Sequence, residues 1–155
     1  MKRIITSCLV GLFLCTPAIA DTPEAGGVIG FNSLSAGGIS TSGLGIALRG
    51  GLRMKGGLTP EGMLVYHGIA GGNQVIIGGG ARYYFLPKKE EIQPFALAHL
   101  QLQTKSPSAL GLAIGGGAQY RIDKQFFAEG LTTYHLSLGD AWNIFFIGVG
   151  GGMKF

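Results

Sequence analysis

The sequence predicts an all-β fold, an eight-stranded antiparallel transmembrane β-barrel with up-and-down topology. Three observations point there. Apolar residues recur at every second position in segment after segment, the period of a strand with one face toward lipid. Glycine is abundant, with 29 residues, while charged residues make up 13%, well below the usual globular level of about 25%. After residue 20 no apolar run reaches the ~18 residues of a membrane helix, so the hydrophobicity must sit on strands. A soluble glycine-rich sandwich is the competing class, but its apolar outer faces would lack cover.

The first element is a leader. Lys2 and Arg3 precede an apolar stretch from Ile4 to Leu14, followed by Pro17 and the small-residue site Ala18-Ile19-Ala20. Residues 1–20 are therefore expected to be a secretory signal peptide cut before Asp21, leaving 21–155 as the barrel domain. Leu14 stands before Cys15 where lipoprotein cleavage needs a small residue, so no lipid anchor is expected. Both cysteines, Cys8 and Cys15, leave with the leader, so the mature chain has no disulfide, thiol nucleophile or cysteine metal site. Ten basic residues then face eight acidic ones, a balance that argues against a nucleic-acid partner.

Eight strands follow, over residues 26–33, 43–54, 61–70, 74–86, 93–104, 109–122, 125–138 and 143–155. Each provides about the 9–11 residues that a tilted spanning strand needs. The sixth displays the alternation best. In "LGLAIGGGAQYRI", Leu110, Leu112, Ile114, Gly116, Ala118, Tyr120 and Ile122 share one face, and Gly111, Ala113, Gly115, Gly117, Gln119 and Arg121 the other. Asp123-Lys124 reads as a tight turn and 86–91 as a charged turn; 104–109 and 138–142 read as modest loops on the opposite rim. The even-numbered strands repeat a phrase of glycines followed by a cation: "LRGGLRM", "GGGARYYF", "GGGAQYRI" and "GVGGGMKF". Hairpins meeting one membrane depth explain it, with Tyr83, Phe85, Tyr120, Phe126 and Phe155 as an outward aromatic girdle at the periplasmic rim.

Parity assigns the inward face. Glycines 51, 78, 80, 115, 117, 148, 150 and 152 share it on the even strands, and Met63, Val65, Phe95, Leu97, Phe127 and Leu131 offer bulk on the odd ones. Small residues facing large ones fill a narrow eight-stranded barrel. Arg53, Arg82, Arg121 and Lys154 fall inward near the ends of the even strands, and Glu129 low on the seventh. They are expected to form a lumenal polar network in which buried charges find partners. His67, His99 and His135 also face inward. Alternate strands lie about 10 Å apart, too far for three ring nitrogens to converge on one metal. A polar layer shared with Gln101 and Thr133 is expected instead, and no metal or cofactor.

The C-terminal strand carries a resemblance. Phe145, Ile147, Val149, Met153 and Phe155 alternate outward, and a terminal Phe155 on such a strand resembles the C-terminal signal of Gram-negative outer-membrane proteins. In that group the signal is read by the barrel assembly machinery, which makes Ile147, Val149, Met153 and Phe155 the expected assembly signal here. The mature chain is similar in size and pattern to small Gram-negative outer-membrane β-barrel proteins such as OmpX and the OmpA transmembrane domain. The resemblance implies an outer-membrane location, lipid and lipopolysaccharide as surroundings, and a monomeric structural or interaction barrel with a largely plugged lumen. A narrow channel or small-ligand-binding barrel is the alternative.

One feature points to chemistry. "YHLSLGD" holds His135 and Ser137 in an H-x-S arrangement similar to the His–Ser pair of PagL-type lipid A deacylases, which are also eight-stranded barrels. Leu138 and Ile147 do not supply the further Asn and acid of that group. Glu129 lies six residues before His135, roughly 20 Å along a strand, whereas a base and its orienting group must touch. Asp140 could approach only through the last loop. His135 and Ser137 thus stand as catalytic candidates in a chain read as non-enzymatic.

Overall fold

The computed structural model describes residues 20–36, 38–69, 72–104, 109–139 and 143–155. Apart from Ala20, the expected leader lies outside them, as does Asp140. Eight strands run in chain order: β1 Ala20–Ala36, β2 Ile39–Met54, β3 Leu58–Ile69, β4 Gly72–Tyr84, β5 Ile92–Gln103, β6 Ala109–Arg121, β7 Phe126–Ser137 and β8 Asn143–Lys154. Each pairs antiparallel with its sequence neighbours, and β1 pairs with β8 from Glu24↔Lys154 to Ser35↔Asn143, closing the barrel. Closure satisfies every strand on both sides and removes the edges that hydrocarbon cannot solvate.

Seven strands occupy their expected spans with shifts of at most four residues at the ends, the largest at the start of β2, which begins at Ile39 rather than at residue 43. The exception is β1, which starts at Ala20 rather than at residue 26. Proline withholds a ladder donor, yet Pro23 lies inside β1. The Pro23 carbonyl accepts from Phe155 N at 3.0 Å, so its missing donor faces β8 just past the last pair, Glu24↔Lys154. Pro94 in β5 uses the same device: its carbonyl accepts from Phe85 N at 3.0 Å, past the last β4 pair, Tyr84↔Phe95.

The turns on the rim that carries both strand ends, Ala20 and Lys154, are tightly made. Gly57, at φ 84°, accepts from Tyr84 N at 3.0 Å, and a Cβ there would stand 2.7 Å from the Tyr84 carbonyl oxygen. Only glycine fits both demands. Asp123 Oδ1 accepts from Gln125 N at 2.7 Å and Phe126 N at 2.6 Å, which fixes the β6–β7 turn.

The outer face is apolar along the whole sheet, with Phe31, Leu48, Leu100, Leu110, Ile114, Ile147 and Val149 all exposed. Tyr83, Phe85, Tyr120, Phe126 and Phe155 are exposed toward the rim of the strand ends, and the Tyr83 and Phe85 rings meet edge to face at 5.6 Å. The inner face holds the core: Val28, Met63, Val65, Phe95, Leu97, Phe127, Leu131, Ile144 and Phe146 are buried. Glycines receive the large rings. A Cβ on Gly26 would lie 3.3 Å from Phe127 Cζ, one on Gly152 would collide with the same atom, and one on Gly117 would lie 2.9 Å from Phe95 Cζ.

Candidate functional site

The inward parity of seven strands delivers a set of charged and polar side chains to one level of the lumen. β1 gives Glu24, β2 gives Arg49, β3 gives Glu61, β4 gives Arg82 and Tyr84, β5 gives His99, β6 gives Gln119 and β7 gives Glu129, all of them buried. Arg49 forks onto Glu129, Nε to Oε1 at 3.0 Å and Nη2 to Oε2 at 2.9 Å, and its Nη1 donates to Glu24 Oε1 at 2.9 Å. Arg82 Nη1 donates to Glu129 Oε2 at 2.7 Å, and Arg82 Nε lies 3.2 Å from Glu61 Oε2. His99 Nε2 lies 3.0 Å from Glu61 Oε1. Tyr84 Oη donates to Glu24 Oε1 at 3.0 Å and accepts from Gln119 Nε2 at 3.2 Å.

Two guanidiniums thus hold three carboxylates that come from β1, β3 and β7. Forked and charge-assisted bonds are the strongest available to such groups, and pairing is what makes their burial tolerable. Aromatic faces flank the cations. Arg82 Cζ lies 3.9 Å from the Phe95 ring centre, and Arg49 Cζ 5.2 Å from that of Phe127.

Of the expected network, the structure brings Arg82 and Glu129 together. It places the other three members toward the rim. Arg53 stacks 3.8 Å over Tyr84 and donates Nη1 to Gln93 Oε1 at 2.6 Å. Arg121 donates to the Lys88 and Lys89 carbonyls at 3.1 and 2.7 Å. Lys154 Nζ sits 5.6 Å from the Phe127 ring centre. Sequence reasoning passed over Glu24, Arg49, Glu61 and Tyr84. All four carry the inward parity, and extending the count along each strand would have found three of them. Glu24 was hidden by the late start assigned to β1.

A second polar layer stands toward the opposite rim. His135 Nδ1 and Gln101 Oε1 are 2.7 Å apart, and His135 Nε2 and Thr133 Oγ1 2.8 Å. The His67 ring meets that of His135 edge to face at 5.7 Å and that of Phe146 at 6.0 Å. Gln74 Nε2 donates to Gln103 Oε1 at 2.8 Å. Among the described residues no group of three His, Cys, Asp or Glu side chains is placed to hold a metal. His99 leaves the other two histidines for Glu61. His135 and Ser137 do not bond to each other: Ser137 Oγ donates to the Gly139 carbonyl at 3.3 Å, and Ser137 N donates to Asn143 Oδ1 at 3.0 Å.

No family model matches the sequence, and neither does any curated protein. Solved structures match in three dimensions. Neisserial surface protein A superposes with a TM-score of 0.74 at 16% identity, over 86% of this chain and 97% of that one. The chain has the fold of small Gram-negative outer-membrane β-barrels. The N-terminal β-barrel domain of Pseudomonas aeruginosa OprF gives 0.65 at 15% identity, over 87% of this chain and all of that one. OprG from the same organism gives 0.64 at 14%, over 88% and 97%. The ion cluster lies inside the barrel, behind the apolar outer face.

Proposed function

We propose that the mature chain is a structural or interaction barrel of the outer membrane, with a lumen closed to free passage of solutes. The observation that carries this reading is the ion cluster. Arg49 and Arg82 reach across the interior to Glu24, Glu61 and Glu129, with every side chain at most 4% exposed. Phe127 and Phe95 lie against glycines beside it. Eight-stranded barrels have room for side chains or one small ligand, while aqueous porins use about 16–18 strands. Lipid and lipopolysaccharide surround the apolar band, residues 1–20 direct export, and the barrel assembly machinery reads Ile147, Val149, Met153 and Phe155. The barrel acts as a monomer. Catalysis is no part of the proposal, because Gln101 and Thr133 occupy both ring nitrogens of His135.

The test is electrical. Refolded protein in planar bilayers is expected to show no stable openings of porin size. Reproducible large-conductance steps from pure wild type would replace this reading with that of a channel.

A further inference from the structure

The rim that carries the strand ends holds a cavity of about 570 Å³, lined by Arg53, Lys88, Arg121, Lys124 and Lys154. We propose that it is a binding site for a phosphate-bearing anion. Among the described residues Asp123 is the one carboxylate on its wall, and Asp123 Oδ1 already serves the turn through Gln125 N and Phe126 N. Among the described residues Arg53, Arg121, Lys124 and Lys154 have no carboxylate at ion-pair distance, and Glu24 of the deeper cluster, which acts on Arg53 and Lys154 from further off, is bonded to Arg49 and Tyr84.

Arg53 is the independent observation that points to a ligand. It is 1% exposed, pinned by its stacking on Tyr84 and by the bond from Nη1 to Gln93. Its Nε and Nη2 are buried and have no partner. These two nitrogens form one edge of the guanidinium fork, and their parallel N–H bonds match two oxygens of a phosphate. A buried donor left unbonded is unfavourable, so a fixed guanidinium with a vacant edge is primed for an oxyanion.

The surroundings are built as well as charged. Gln93 Nε2 donates to the carbonyls of Pro87, Lys88 and Glu90 at 3.2, 2.7 and 3.0 Å. Arg121 clasps the Lys88 and Lys89 carbonyls of the same turn. Lys88 Nζ reaches back to Thr22 Oγ1 at 3.2 Å. The β4–β5 turn, which lends Lys88 to the cavity wall, is thereby held in place, and little ordering remains to be done when an anion arrives. Outward Tyr120, Phe126 and Phe155 set this rim at the depth of the lipid headgroups. Two sources of phosphoryl oxygen therefore reach it: a soluble phosphoanion and the phosphodiester of an anionic phospholipid.

The experiment uses protein refolded in uncharged maltoside micelles. Inorganic pyrophosphate is titrated calorimetrically at fixed ionic strength, with and without phosphatidylglycerol mixed into the micelles and with phosphatidylcholine as the control lipid. Saturable one-to-one binding is expected. A Lys124→Gln, Lys154→Gln double variant should weaken it roughly tenfold or more, as expected for losing contacts to a charged ligand. Arg53→Lys keeps the charge and removes the free edge, and should weaken it by a similar factor. Heat-modifiable gel mobility confirms that each variant folds. Competition by phosphatidylglycerol but not phosphatidylcholine assigns the site to lipid, and its absence assigns it to the soluble anion. No saturable heat in the wild type, or affinity unchanged in both folded variants, overturns the proposal.

Discussion

Toward the rim of the strand ends the lumen is spanned by full charges, three carboxylates and two guanidiniums bonded at 2.7–3.5 Å. Toward the other rim it is spanned by imidazoles and amides, His67, His135, Gln74, Gln101 and Gln103, set among Leu34, Val65, Ile76, Ile144 and Phe146. The difference lies in what each region requires of its neighbours. A buried carboxylate must have its cation, so the positions of β1, β2, β3, β4 and β7 constrain one another around the ring. A neutral imidazole or amide needs no counter-charge, so an open valence costs it less than a missing partner costs an ion: neither ring nitrogen of His67 has a hydrogen-bond partner. The ionic half therefore fixes which strands stand level, and the neutral half fills volume.

The largest effect should follow from breaking the ionic half at its most shared member. Glu129 serves both Arg49 and Arg82. Glu129→Gln takes the shared carboxylate from both buried guanidiniums, leaving Arg49 to Glu24 and Arg82 to Glu61, and is expected to lower unfolding stability by about 3–5 kcal/mol, the usual consequence of removing one partner of a buried pair. Urea unfolding in detergent micelles or lipid vesicles reads it. A loss below about 1 kcal/mol would mean that water, rather than protein, balances these charges.

The neutral half should respond far less. His67→Phe keeps an edge-to-face partner for His135 and Phe146 and removes two unbonded nitrogens. Its stability is expected to stay within about 1.5 kcal/mol of wild type by the same unfolding assay, the range for near-isosteric changes in a core. Destabilisation on the scale of Glu129→Gln would erase the distinction between the halves.

The same contrast marks what the sequence made legible. Alternation along each strand identified the lipid face, the inward face and the number of strands, because a period of two is local. It also placed His135 beside Gln101 and Thr133. It did not give height. Strands in a barrel tilt and stagger, so residues equally far from their turns do not stand level. Arg53, nearer the end of β2, was expected to reach Glu129, yet Arg49, four residues deeper, does so. Arg121 and Lys154 share the inward face but sit too near the rim to join. The register that decides this, with Arg49 opposite Gly26 on one side and Met63 on the other, belongs to pairing between strands rather than to any single segment.

The most direct test of an ionic core that couples strands is a double-mutant cycle on Arg82 and Glu129, which lie in β4 and β7 and are not sheet neighbours. Wild type, Arg82→Gln, Glu129→Gln and the double variant would be unfolded in urea under identical lipid conditions. A coupling of about 1.5–3 kcal/mol is expected, within the range of directly bonded pairs. Losses that add to within about 0.5 kcal/mol would contradict it, and would leave the charges as independent lumenal groups that happen to lie close together.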